Sequence, residues 1–149
     1  MISLSSSSPN GDFFAFVAAD FFSWEPQGKF DLIFDYTFFC ALHPSMRSAW
    51  AKRMADLLKP DGELITLMYL VEGQEAGPPF NTTVLDYEEV LNPLGFQITC
   101  IQDNQVAVEP RKGMEKLARW KRTAETINQH PAEREIKSPR RASSPILLA

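Results

Sequence analysis

Continuously apolar segments alternate along the chain with segments of helical periodicity, and this pattern predicts an α/β fold with a mainly parallel sheet. Residues 30–39 are the most strand-like segment, because only two aspartates and a threonine interrupt their apolar and aromatic side chains. Such continuous apolarity is typical of a strand that helices cover on both faces of the sheet. Residues 63–71 and 96–101 predict two further buried strands, and residues 13–18 predict a short one.

Two segments between these strands have the spacing of helices. Residues 44–58 place apolar side chains on one face and charged side chains on the other, which predicts an amphipathic helix. A second, shorter helix is predicted to begin near Asp86, because Glu89 follows three residues later as in a capping box, and to end at Pro93. The residues at 113–127 are compatible with either a helix or a strand that returns antiparallel.

The composition divides the chain of 149 residues into three parts. Residues 1–12 are rich in serine and predict a disordered leader, and residues 13–127 carry the apolar pattern of one compact domain. Residues 128–149 are rich in proline, serine and arginine and predict a disordered basic tail.

The charge is distributed unevenly. Residues 1–110 carry 5 basic and 15 acidic side chains, whereas residues 111–149 carry 10 basic and 4 acidic ones. A basic segment can bind nucleic acid or an anionic membrane, but a solvated tail after an acidic domain is the simpler interpretation, and neither partner is predicted. The N-terminus has no secretory signal pattern and no run is long enough to span a membrane, so a cytoplasmic protein is predicted.

Two short motifs could carry chemistry. Asp20 and Phe21 follow the short strand at 13–18, where a carboxylate can accept a hydrogen bond from an exocyclic amine such as that of adenine; an aspartate there is more often a turn residue. Asp35 and Tyr36 lie near the carboxyl end of a buried strand, where ligands bind in open α/β sheets, although a capped strand with a satisfied aspartate is the commoner explanation of such residues. Neither a catalytic side chain nor a metal site is predicted.

A third motif, LLKPDGELI, joins a helix to an apolar strand, and a turn of this kind is common in class I methyltransferases. Together with FVAADFFSW, FDLIFDYTFFCAL, PPFNTTVLDYEEVLNPLGF and RKGMEKLARWK, it resembles the plant thiol/halide methyltransferases, which are close to the thiopurine methyltransferase family. The resemblance implies a class I S-adenosylmethionine-dependent methyltransferase (Rossmann-like) fold. It also implies methyl transfer from S-adenosyl-L-methionine to thiocyanate, bisulfide or halide ions.

The resemblance assigns site residues by position. Asp20 and Phe21 correspond to the pair that contacts adenine, and Tyr36 corresponds to a cofactor contact after the fourth strand of the family. The sulfonium methyl group is already activated and the substrate anions need no deprotonation. The implied catalysis is therefore proximity and alignment in an apolar pocket, without a general base.

The chain departs from the family in its cofactor-binding half. It has neither the glycine-rich loop that follows strand one nor the acidic residue after strand two, so we expect a partial fold lacking the first two strands. Because the family's sheet order is 3-2-1-4-5-7-6, residues 30–39 should form an exposed edge, open to self-association or to a homologue. We therefore expect the methyl-transfer activity of this chain to be impaired. The alternatives to a methyltransferase are a non-catalytic partner-binding protein and an unrelated α/β binding module.

Overall fold

The computed structural model describes residues 14–123 and 145–149, and its centre is one five-stranded sheet. The strands are β1 (Phe30–Tyr36), β2 (Leu58–Tyr69), β3 (Phe96–Asp103), β4 (Glu115–Arg122) and β5 (Ile146–Leu148). The helices are α1 (Phe38–Ala41), α2 (Arg47–Leu57) and α3 (Val84–Leu91), with 3-10 turns at Pro44–Met46, Asn92–Leu94 and Glu109–Arg111. Among these helices, none has the length and apolarity needed to cross a membrane.

The strands lie in the order β3-β4-β2-β1-β5. β1 is parallel to both β2 and β5, whereas β4 is antiparallel to both β2 and β3. The sheet is therefore mixed rather than mainly parallel. The first four strands reproduce the 6-7-5-4 part of the order expected from the resemblance.

The antiparallel strand β4 settles the ambiguity at residues 113–127 as far as Arg122. Ala118 and Trp120 alternate inward and are fully buried, and the Trp120 indole Nε1 donates a hydrogen bond to the Thr66 hydroxyl on β2 at 2.9 Å. β4 forms backbone hydrogen bonds with β2 on one side and with β3 on the other. A helix at the same place would leave the facing backbone groups of β2 and β3 unpaired.

Aromatic side chains fill the core between the sheet and the helices. Phe39 of α1 stacks on Tyr87 of α3 with 3.9 Å between ring centroids, and Trp50 of α2 meets Phe39 edge-on at 4.7 Å. All three side chains are almost fully buried, so this aromatic group fixes the three helices against one another.

The two predicted helices are present, but the predicted cap of the second is wrong. α2 follows a 3-10 turn that starts at Pro44, in agreement with a helix over 44–58. α3 begins at Val84, and its N-cap is Thr83, whose hydroxyl accepts a hydrogen bond from the Asp86 amide while Asp86 accepts one from the Thr83 amide. Asp86 is therefore the third residue of the helix and completes the capping box, and Thr83 is the N-cap.

The LKPDG motif does not form the expected separate turn between a helix and a strand. It lies inside β2, where the register passes from Phe30↔Leu58 directly to Leu32↔Glu63, so four residues of β2 bulge opposite Asp31. Lys59 spans the bulge with its Nζ at 2.9 Å from an Asp31 carboxylate oxygen. The sequence is a bend in a continuous strand, because β1 and β4 pair with the residues beyond it.

Two expectations about the ends of the domain are wrong where the structure describes them. Residues 14–18 form no strand and are exposed, since no neighbouring strand offers them a ladder. The edge of β1 is not open, because β5 pairs with it, and residues 146–148 are therefore a strand rather than part of a disordered tail. The leader at 1–12 and the tail at 128–144 lie outside the described residues.

Candidate functional site

The candidate site lies at the carboxyl end of β1, where the chain turns sharply into α1. Thr37 makes this turn in the left-handed region, with a φ of 65°, a conformation that β-branched residues rarely adopt. The turn separates Asp35 and Tyr36 on β1 from Phe38 at the start of α1. Adjacent strand residues point to opposite faces of a sheet, so Asp35 and Tyr36 enter different environments.

Asp35 faces the core and has no exposed surface. Its Oδ2 accepts a hydrogen bond from the Trp50 indole at 2.9 Å, whereas its Oδ1 has no hydrogen-bond partner among the described residues. Burial raises the pKa of Asp35 to about 7, against the lowering effect of the Trp50 hydrogen bond and of the nearby Phe39 backbone amide. Asp35 therefore supports α2 from inside and does not line a cleft.

Tyr36 instead belongs to a polar group that we call the tyrosine–arginine cluster, formed by Tyr36, Tyr69, Arg111 and Glu115. The Tyr36 hydroxyl donates to Glu115 Oε1 at 2.8 Å and accepts from Arg111 Nη1 at 2.6 Å. The Arg111 guanidinium lies over the Tyr69 ring at 4.6 Å and near the Tyr36 ring at 5.5 Å. Three separate elements thus converge on one cation held between two aromatic rings.

Glu115 is the buried counter-charge of this cluster. It is 3% exposed, and its second carboxylate oxygen accepts from the Asn104 side chain at 2.8 Å. The pKa of Tyr36 is raised, first by burial and then by its bond to Glu115, so the phenol stays neutral near pH 7. The arginine side chain keeps 32% of its surface exposed and is the accessible charge of the cluster.

The segment of Asp20 and Phe21 is anchored beside α1 and α2. Asp20 is exposed, and its carboxylate oxygens accept bonds from the Phe22 amide at 3.0 Å and the Ser23 hydroxyl at 3.1 Å. Phe21 meets Phe38 edge-on at 5.0 Å, and its carbonyl accepts from Arg53 Nε at 3.1 Å. The carboxylate thus stabilises its own turn, which is the interpretation that the sequence left open beside adenine binding.

The structure brings Phe21 next to Phe38, two residues after Tyr36, whereas the Asp20 carboxylate accepts its hydrogen bonds within its own turn. Sequence reasoning missed the groups that make the carboxyl end of β1 polar, namely Arg111 and Glu115, which lie 75 and 79 positions after Tyr36. It also missed Arg53, which fixes the segment through the carbonyls of Phe21 and Trp24. The only sequence signal for Arg111 and Glu115 was their place in the RKGMEKLARWK segment of the resemblance.

A protein-family model and curated relatives match most of this chain. A model of the family described as thiopurine S-methyltransferase (TPMT) matches residues 7–130. The chain is 59% identical over 116 residues to "Probable thiol methyltransferase 2" of Arabidopsis thaliana. It is 55% identical over 116 residues to "Thiocyanate methyltransferase 1" of Brassica oleracea. Each match covers 78% of this chain and 51% of the relative, so the chain spans about half the length of these curated relatives.

A solved structure supports the fold. It is the 1,6-didemethyltoxoflavin-N1-methyltransferase of Burkholderia thailandensis with bound S-adenosylhomocysteine, which superimposes with a TM-score of 0.57 at 22% identity. The superposition covers 72% of this chain and 50% of that one. The expected partial class I methyltransferase fold is therefore confirmed. Since the family model covers most of the chain, this protein belongs to the thiopurine S-methyltransferase family, with homologues among the plant thiol and thiocyanate methyltransferases.

Proposed function

We propose that this chain takes part in methyl transfer from S-adenosylmethionine to a small soft anion, namely thiocyanate, bisulfide or a halide. The observation that carries the proposal is the tyrosine–arginine cluster at the carboxyl end of β1, where open α/β sheets bind ligands. The names of the relatives, which include a thiocyanate methyltransferase, favour the same substrate class.

The cluster suits an anion that must be held loosely. Among the described residues, the hydrogen bonds of Arg111 leave from Nη1, so the donors of Nε and Nη2 are available to a ligand. Glu115 balances the arginine charge, which weakens the attraction for any single anion. An anion bound this way can still move to a methyl group, since strong ground-state binding would lower its reactivity.

The adenine side of a cofactor site is supported by residues of this chain. We assign cofactor binding to Asp20, Phe21 and Tyr36. Each Asp20 oxygen accepts one bond in its turn and retains a second lone pair for an exocyclic amine. Phe21 and Phe38 offer an aromatic edge beside it. The ribose and methionine ends fit less well, because in the described residues no glycine-rich loop connects a strand to a helix.

The chemistry needs little from the protein beyond placement. S-adenosylmethionine, when bound, supplies a methyl group activated by its sulfonium. Thiocyanate and halide ions carry no proton that must be removed, so no side chain is assigned as a general base. The role of Arg111 is to orient the anion, and the role of the surrounding aromatic rings is to exclude water.

The first test is calorimetric titration of the chain with S-adenosylhomocysteine, combined with headspace detection of methyl thiocyanate or iodomethane. We expect weak but saturable binding and slow turnover that depends on thiocyanate or iodide. If heat of binding is absent up to millimolar ligand and no methylated product forms, the proposed activity of this chain is wrong.

A variant tests the assigned anion contact. Arg111→Met should raise the KM for thiocyanate by about tenfold while changing kcat less, because it removes binding that ground state and transition state share. The matched control is Arg119→Met, which removes an arginine that pairs with Glu63 at 2.7 Å on the exposed side of the sheet. Equal effects of the two substitutions would contradict the assignment of Arg111.

A second candidate is a non-catalytic protein that binds a partner through its sheet edge. The observation that favours it is that β5 pairs with the edge of β1. In the sheet order of the family, the first strand has this place. The candidate predicts a stable fold that captures an apolar peptide but shows no cofactor binding in the same titration.

A further inference from the structure

The edge of β1 holds a short segment from the far end of the chain. Residues 145–149 run parallel to it, with Leu32↔Ile146, Ile33↔Leu147 and Phe34↔Leu148 in register. The Asp31 amide donates to the Pro145 carbonyl at 3.1 Å, the Ala149 amide to the Phe34 carbonyl at 2.8 Å, and the Tyr36 amide to the Ala149 carbonyl at 3.1 Å. These backbone bonds bracket the strand at both ends.

The side chains of this segment alternate between partly buried and exposed positions. Leu147 and Ala149 pack against the hydrophobic core, whereas Ile146 is 56% exposed and Leu148 is 67% exposed. One leucine and one alanine thus carry the burial, and main-chain hydrogen bonds carry the rest. This combination is the usual form of strand addition to a sheet edge, in which backbone bonds give affinity and alternate side chains give specificity.

The segment is joined to β4 through residues 123–144 and has no strand on its other side among the described residues. A covalent tether raises the effective concentration of a weak ligand to the order of millimolar, which fills a site that a free peptide would occupy only in part. β5 therefore resembles a tethered ligand more than a strand of the domain centre.

We propose that the edge of β1 is a strand-acceptor site for an extended apolar segment of the type Ile-Leu-Leu-Ala. In the free chain, residues 145–149 fill it as an intramolecular ligand. The site binds this segment through the backbone from Asp31 to Tyr36 and through two partly buried side chains, those of Leu147 and Ala149.

The test uses a fluorescein-labelled peptide Ser-Pro-Ile-Leu-Leu-Ala and a chain that lacks residues 145–149. Fluorescence anisotropy should show saturable binding to the shortened chain and at least about tenfold weaker binding to the full chain, because the tethered segment competes. Equal binding to both chains, or binding to neither, would overturn the proposal. The readout involves no cofactor, so its failure is separate from failure of the methyl-transfer proposal.

Two peptide variants test the specificity. A peptide with Leu147→Asp should lose at least about tenfold in affinity for the shortened chain, because it places a charge against the core. A peptide with Leu148→Asp should bind within about twofold of the parent, since this side chain is exposed. If the two aspartate peptides bind alike, the contact with β1 is not the one described here.

The shortened chain could misfold, and a full-length pair covers that outcome. In full-length Leu147→Asp the segment should leave the edge, so the Asp31 and Tyr36 amides should exchange hydrogen at least about tenfold faster and the labelled peptide should now bind. Full-length Leu148→Asp should keep both amides protected and exclude the peptide. Protection that is unchanged in the Leu147→Asp chain would contradict the proposal.

Discussion

At the scale of the residue, Asp35 shows how burial decides the protonation and the role of a side chain. Its place near the end of a strand suggested a cleft-lining carboxylate, but the side chain is fully buried and holds one hydrogen bond, from Trp50. A charge at this depth has little compensation, so the protonated form is favoured. Its neighbour Tyr36 points the other way and joins the only accessible cation of the tyrosine–arginine cluster.

The raised pKa of Asp35 predicts that stability depends on pH. The folded state holds the proton with a pKa of about 7, compared with a pKa of 3.8 for a free aspartate side chain. The unfolded chain releases this proton at lower pH, so the free energy of unfolding should fall by about 1.4 kcal/mol per pH unit as the pH rises from 4 towards 7. Urea unfolding at pH 5, 6, 7 and 8 measures this slope.

The control for that slope is Asp35→Asn, which keeps the shape and removes the ionisation. The variant should show a much flatter dependence of the free energy of unfolding on pH over the same range. Parallel curves for the two proteins would mean that another group carries the pH dependence.

At the scale of the element, β2 shows a strand that tolerates a bulge because a glycine lets two backbones approach. A Cβ at Gly62 would lie 2.8 Å from Leu58 Cγ and 3.0 Å from the Asp31 carbonyl oxygen, closer than real side chains come. Leu58 is fully buried, so its side chain can move away only by disturbing the core around it. The glycine of the LKPDG motif is thus needed for space, and its φ is not the reason.

We therefore predict that Gly62→Ala destabilises the protein by roughly 1–3 kcal/mol, the range for overpacking a well-packed site. Thermal and urea unfolding followed by circular dichroism measure the change. Gly28→Ala is the matched control, because nothing lies within 4 Å of the added Cβ, and it should leave stability unchanged or slightly raised. A neutral Gly62→Ala would show that β1 and β2 can separate at the bulge without cost.

At the scale of the whole molecule, the basic segment and the acidic domain are parts of one sheet. Lys116 pairs with Asp103, Arg119 pairs with Glu63, and Arg122 donates to the carbonyls that end α2 at Ala55 and Leu58. Two basic side chains of β4 therefore pair with acidic side chains of the neighbouring strands. A segment that suggested a solvated tail is, up to Arg122, a central strand.

The same arrangement predicts an uneven distribution of local stability. β2 and β4 have partners on both sides, whereas β5 pairs with one strand over three residues. Hydrogen exchange measured by mass spectrometry should find the slowest amides in β2 and β4, and exchange on the order of a hundredfold faster in residues 145–149 and 14–18. Uniform protection across all five strands would contradict a weakly held β5.

The sequence by itself determined the strands β1 to β3, the helices α2 and α3, and the family, because periodicity, turn residues and long motifs are local properties. Of the candidate site, it supplied Asp20, Phe21 and Tyr36, whose proposed roles in cofactor binding follow from the resemblance. It could not supply the partners of Tyr36, since Arg111 and Glu115 reach it only when the 3-10 turn at Glu109–Arg111 and β4 fold back beside β2. Local patterns carry no information on which distant groups will meet.

Only the tertiary structure decided the ionisation of Asp35, the direction of residues 115–122 and the occupant of the β1 edge. The first depends on burial by α2, which periodicity does not measure. The second depends on two neighbours that pair with the strand from either side. The third depends on the unpaired backbone groups along the edge of β1. A segment distant in sequence, residues 145–149, forms hydrogen bonds with these groups.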